Sequence, residues 1–187
     1  MSAEAASRSK GLIMAILVTG ASGNLGGHVV DALLERGIPA SDIVAGVRTP
    51  AKAGPLTDLG VRVAPLDYTE PATIDAALDG ITSVLLISGS EVGSRFAGHR
   101  NVIEAAQKAG VEKFVYTSAP KATSVDYALG AEHRATEEAI AAAGLPAVTL
   151  RNNWYHENYT QDLLGAADSG VIAAAAGDGR VASASRR

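Results

Sequence analysis

The stretch Thr19-Gly20-Ala21-Ser22-Gly23-Asn24-Leu25-Gly26 follows directly on an apolar run and opens a helical pattern. Its three glycines have separate tasks. Gly20 permits a tight turn, Gly23 lets backbone N–H groups approach a pyrophosphate, and Gly26 lets the helix pack closely on the strand. The helix start adds unpaired N–H donors and the positive end of a dipole. With the right element on each flank, the motif points to dinucleotide binding; the alternative is a glycine-rich turn that holds nothing. The spacing is G-x-x-G-x-x-G, not G-x-G-x-x-G.

The residues beyond the second apolar run decide which dinucleotide. A site for NAD places Asp or Glu at that strand end to hold the ribose 2′-hydroxyl. Here the end reads Val47-Arg48-Thr49-Pro50-Ala51-Lys52, without an acid. Arg48 is placed to pair bidentately with a 2′-phosphate, and Lys52 adds charge, so NADPH is the expected coenzyme. The alternative is two ordinary solvated charges. Other strand ends should line the same crevice: Asp67 to accept from the adenine amino group, Ser88 and Gly89 beside the nicotinamide-side ribose, Thr117 and Ser118 near the reacting ring.

Proton chemistry is harder to place. A Tyr-x-x-x-Lys pair, in which lysine lowers the tyrosine pKa, is absent: the candidate Tyr127 has Ala131 as its fourth neighbour. His133 lies on the same predicted helix, and Glu137 one turn on is placed to orient or charge its imidazole. The alternative is a partly exposed helix histidine. His28, His99 and His156 have no evident partners in the sequence, and no metal is expected, because no ligand cluster has suitable spacing. Arg151–Tyr159 holds three of the eight aromatic residues. Asn153, Trp154 and Tyr155 there suit a planar acceptor stacked over nicotinamide, or simply packing between two lobes.

These residues need a frame, and the chain supplies a strand–helix alternation closed repeatedly by glycine. Strands are expected at 13–19, 43–47, 61–66, 81–88, 113–118 and 147–150. Helices are expected at 24–36, at a segment capped by Thr69, at 94–109 and at 126–143, with one more in the tail. The first helix should turn Leu25, Val29 and Leu33 inward. Such alternation implies an α/β, doubly wound parallel sheet, the Rossmann fold. Residues 1–13 read as a disordered extension, 14–151 as the NADP-binding domain, and 152–187 as the start of an incomplete C-terminal substrate lobe.

Composition bounds the rest. In 187 residues, 47% are hydrophobic and 19% charged, with a net charge of −4. No basic field is available to hold nucleic acid. There are no cysteines, which excludes thiolate catalysis and Cys-bound metals and agrees with a cytoplasmic setting. The longest apolar run, 11–18, is too short to span a bilayer.

The segments Val-Thr-Gly-Ala-Ser-Gly-Asn-Leu-Gly-Gly, Leu-Leu-Ile-Ser-Gly-Ser-Glu-Val-Gly, His-Arg-Asn-Val-Ile, Val-Tyr-Thr-Ser and Leu-Arg-Asn-Asn-Trp-Tyr-His-Glu-Asn resemble the NmrA-like atypical short-chain dehydrogenases, in particular the bacterial NADPH:quinone oxidoreductase type 2 group. The resemblance covers 14–185. It implies flavin-free hydride transfer from NADPH to a quinone. It also puts Gly20, Ser22, Gly23, Asn24, Leu25, Gly26 and Arg48 on the coenzyme, and His133 where related reductases carry a lysine. Another implied function is an NADP-binding redox sensor that regulates a partner without turnover; an epimerase-like role fits less well without Tyr-x-x-x-Lys. A homo-oligomer is compatible with either.

Overall fold

The computed structural model describes residues 15–172 and 177–187. In chain order its elements are β1 (Ile16–Val18), α1 (Asn24–Glu35), β2 (Ile43–Val47), α2 (Gly54–Asp58), β3 (Arg62–Pro65), α3 (Pro71–Ala77), β4 (Ser83–Leu86), α4 (Arg95–Ala109), β5 (Lys113–Ser118), α5 (Ala128–Ala142), β6 (Ala147–Arg151) and α6 (Thr160–Ser169). The strands form one sheet in the order β3-β2-β1-β4-β5-β6. Every adjacent pair is parallel. The order reverses between β1 and β4, which opens a crevice beyond their C-terminal ends. The expected disordered extension at 1–13 and the Ala173–Ala176 run lie outside the described residues.

Alternate residues of the central strands enter opposite cores, as a sheet buried on both faces requires. Leu17 and Val44 join Ile74, Val102, Ile103, Phe114 and Ile140 on the side of α3, α4 and α5. Val18, Ile43 and Ala45 join Val30, Leu56 and Val61 on the side of α1 and α2. Strand β6 forms the sheet edge and is exposed along its length.

Several expectations need correcting. The short α2 was not anticipated; Gly54 and Pro55 obscure a helix of only five residues. Thr69 does not cap α3, which starts at Pro71 after Glu70; its hydroxyl donates to Asp67 Oδ1 instead (2.7 Å). Helix α1 buries Gly26 and Val30 most deeply, while Val29 and Leu33 of the expected stripe pack, partly buried, against the same core. This orientation follows from Gly26, which must face the loop it touches. Helix α5 starts two residues late, at Ala128, because Tyr127 is extended (φ −150°).

Candidate functional site

The end of β1 turns back through Gly20, whose φ of +59° favours glycine. Ala21 N–H donates to the Gly46 carbonyl (3.0 Å), which pins the loop to β2. A Cβ on Gly26 would sit 2.3 Å from the Gly20 oxygen and 2.6 Å from Ala21 Cα, so only glycine lets α1 approach this closely. Gly23 differs from its expected role in detail. Its N–H is spent on the Gly20 carbonyl (2.9 Å). The open donors are therefore the first amides of α1, at Asn24 and Leu25, which no side chain caps.

A cleft of about 1260 Å³ runs from this loop across the C-terminal edge of the sheet. The residues expected on coenzyme, acceptor and proton chemistry lie along it, whereas Glu137 does not. Gly20, Ser22, Gly23, Asn24, Leu25, Gly26, Arg48, Lys52 and Asp67 line one part; Ser88, Gly89, Thr117, Ser118, Tyr127, His133, Asn153, Trp154 and Tyr155 line the rest. The free amides and the guanidinium of Arg48 suit a diphosphate with an additional phosphate.

Tertiary contacts change several side-chain roles. Arg48 is not alone: Glu91, from the loop after β4, lies 3.2 Å from its Nη1, with both side chains mostly in solvent. Asp67 Oδ1 accepts from the Thr69 N–H (2.9 Å) and hydroxyl, and these bonds hold its pKa below the usual carboxylate value. Thr117 Oγ1 accepts from the Ser88 N–H (2.9 Å), and so supports the cleft wall as well as lining it.

His99 has partners that the sequence did not reveal. It is fully buried on α4. Its Nε2 accepts from the Gly89 N–H (2.9 Å), and its Nδ1 lies 3.0 Å from Thr136 Oγ1. Thr136 donates to the Glu132 carbonyl, so Nδ1 carries the proton and the ring is neutral. Burial, then the Arg95 charge, lowers its pKa to about 4. His99 thus holds the Gly89 loop from behind. Tyr68 does the same two residues earlier by donating to the Ile87 carbonyl (2.7 Å).

His133 is buried, and its partner is Tyr116, with Nδ1 2.7 Å from the phenol oxygen. The expected pairing with Glu137 does not form. That carboxylate instead accepts from Arg151 (2.7 Å) and Ser118 (2.6 Å) on neighbouring strands. Burial is the main cause that lowers the His133 pKa. Burial also raises that of Tyr116. With the phenol donating to Nδ1, the imidazole N–H sits at Nε2. Tyr127 donates its own hydroxyl proton to the Pro120 carbonyl (2.8 Å).

The aromatic segment after β6 is held by the far end of the chain. Trp154 and His156 exchange backbone hydrogen bonds with Ala184 (3.0 Å each). Arg186 stacks on the Tyr155 ring, 4.7 Å from its centroid, and lines the cleft. Glu157 anchors this return; its bond from Ser185, with backbone donors, lowers its pKa to about 2. Nothing in the sequence pairs residues this far apart. Among the described residues, no cluster of His, Asp and Glu is arranged to hold a metal, and no helix is long and apolar enough to cross a membrane.

Comparison with known proteins agrees with this geometry. Residues 20–176 match the NAD(P)H-binding family. Quinone oxidoreductase 2 of Escherichia coli K12 is 47% identical over 171 residues, which are 91% of this chain and 59% of that protein. An NmrA-like family domain-containing oxidoreductase of Aspergillus flavus is 34% identical over 78% of this chain and 50% of its own length. A crystal structure of NADPH-dependent quinone oxidoreductase from E. coli, complexed with NADPH, superposes with a TM-score of 0.84 at 47% identity, over 91% of this chain and 60% of that one. The chain thus spans about three-fifths of the length of its E. coli relative.

Proposed function

Since this chain belongs to the NAD(P)H-binding family, in its NmrA-like branch, we propose that it serves an NADPH-dependent reductase of quinones or similar planar acceptors that uses no flavin. The observation that carries this reading is the continuity of the cleft. One pocket joins the glycine-loop amides and Arg48 to the His133 wall and the aromatic segment 153–155. Bound NADPH would supply a hydride from its dihydronicotinamide. The chain's own residues do the rest. The amides of Asn24 and Leu25 bind the diphosphate, and Arg48, assisted by Lys52, takes the 2′-phosphate. Asp67 faces the adenine side, while Ser88, Gly89, Thr117 and Ser118 border the nicotinamide half. Asn153, Trp154 and Tyr155 stack the acceptor and exclude water. His133 directs a neutral N–H at the acceptor, and Tyr127 shapes the rim beside it. The working location is the cytoplasm.

The test is steady-state oxidation of NADPH with a benzoquinone. Oxidation above background, faster with NADPH than NADH, supports the reading. Tight NADPH binding without oxidation favours a redox sensor that acts through a protein partner; the engagement of the Tyr127 hydroxyl by a backbone carbonyl fits that case too. No binding of either coenzyme overturns both.

A further inference from the structure

Arg95 is the first residue of α4, and its side chain is 6% exposed, yet it lines the cleft. Its guanidinium carries five N–H donors and a permanent charge. Nε lies 3.2 Å from Glu132 Oε2 but is not aligned for a hydrogen bond. The same carboxylate oxygen accepts from the Gly93 N–H (3.0 Å). Nε is buried without a hydrogen-bond partner, and among the described residues the ion-pair partner of the guanidinium is Glu132. A buried guanidinium that lines a cleft with Nε unpaired is placed to donate to a group bound there. Arg95 and His133 both line the cleft, and the Arg95 charge helps to lower the His133 pKa, so the guanidinium lies on the same wall.

We propose that Arg95 is the acceptor-recognition residue of this cleft, which takes planar acceptors through a ring oxygen that its guanidinium holds. The proposal rests on the reductase reading above. When a quinone receives hydride, the coenzyme is oxidised to NADP+, the quinone becomes a quinol monoanion, and a proton from solvent completes the quinol. Negative charge grows on the held oxygen during that step, where fixed N–H donors stabilise it most. Acceptors that place no oxygen there gain nothing from Arg95.

The experiment uses the full chain, the variants R95K and R95M, and the double variant R95M/E132Q, which removes both charges should R95M alone fail to fold. Calorimetry first measures NADP+ binding. It then measures 2-hydroxy-1,4-naphthoquinone, an anion at neutral pH, and neutral 1,4-naphthoquinone, each with NADP+ present. The expected result is about a 10-fold weaker hydroxynaphthoquinone affinity in R95M and the double variant. The loss is smaller for naphthoquinone, R95K recovers part of it, and NADP+ affinity stays within about 2-fold. Unchanged hydroxynaphthoquinone binding in R95M and the double variant overturns the proposal. So does a parallel loss of NADP+ affinity, which would make Arg95 a coenzyme ligand, or wild-type protein that binds NADP+ and neither quinone. Wild-type protein that does not bind NADP+ refutes the parent reading instead.

Discussion

Arg48 and Glu91 show how a single residue's role depends on its competitors. Their ion pair is exposed, and such pairs contribute about 0–1 kcal/mol. A 2′-phosphate offers bidentate, doubly charged acceptance and should displace the glutamate. Arg48→Ala is expected to raise the NADPH KM about 10-fold and that for NADH less than about 2-fold. Glu91→Gln should tighten NADPH about 2-fold at low salt, and the gain should fade as salt screens the pair. An equal effect of Arg48→Ala on both coenzymes would remove it from the phosphate site. His99 gives a pH signature. Its folded pKa of about 4 lies below the ordinary 6.5, so below pH 6.5 the unfolded chain takes up a proton that the folded chain refuses. Stability is complete above that pH and falls as pH drops toward 4, by at most roughly 3 kcal/mol from this residue. His133 acts in the same direction. Urea midpoints at pH 7 and pH 5 should converge in His99→Gln relative to wild type; an unchanged gap would remove His99 as the cause.

At the scale of elements, the contact between α1 and the β1 loop is controlled by one missing side chain. Gly26→Ala would push a methyl group into backbone at 2.3 and 2.6 Å. Neither neighbour moves without breaking the loop, so a cost of about 1–3 kcal/mol and loss of coenzyme binding are expected. Gly27→Ala is the control on the same helix. Its Cβ would meet only the Ala21 oxygen at 4.0 Å, an ordinary contact. Replacing a helical glycine there should stabilise by up to about 1 kcal/mol. Thermal melts of the two variants, with and without NADPH, check both signs; a benign Gly26→Ala would mean that the loop adapts.

For the whole molecule, one cleft crosses both halves of the sheet, so a coenzyme bound along it should act as a global ligand. NADPH at 100 times its Kd should add about 2.7 kcal/mol to stability, with NADH at the same concentration adding less. The measurement is the shift of Tm with ligand concentration. Equal shifts would mean that Arg48 does not sense the extra phosphate. At the other boundary of the fold, β6 leaves Val148 and Leu150 nearly half exposed, and α6 exposes Leu163 and Leu164 further. Charged substitutions such as Val148→Lys should leave Tm within about 1 °C, because little apolar area is removed from water there.

The alternation of elements, the sheet class and the coenzyme were legible in the residues alone. Those follow from local signals: strand hydrophobicity, glycine at turns, and a loop whose glycines, strand and helix are contiguous. Even the place of segment 153–155 along the cleft was legible, because it follows a strand end that must face the crevice. The tertiary structure alone decided which side chains meet. Glu91 reaches Arg48 across 43 residues, Tyr116 rather than Glu137 holds His133, and His99 braces Gly89 from beneath. Arg95, which gave no sign in its own neighbourhood of sequence, is buried against Glu132 with its Nε donor unpaired. Local patterns record the energies of chain neighbours. Pairings between polar groups on separate elements depend on register, helix rotation and burial, which exist only once the sheet has assembled.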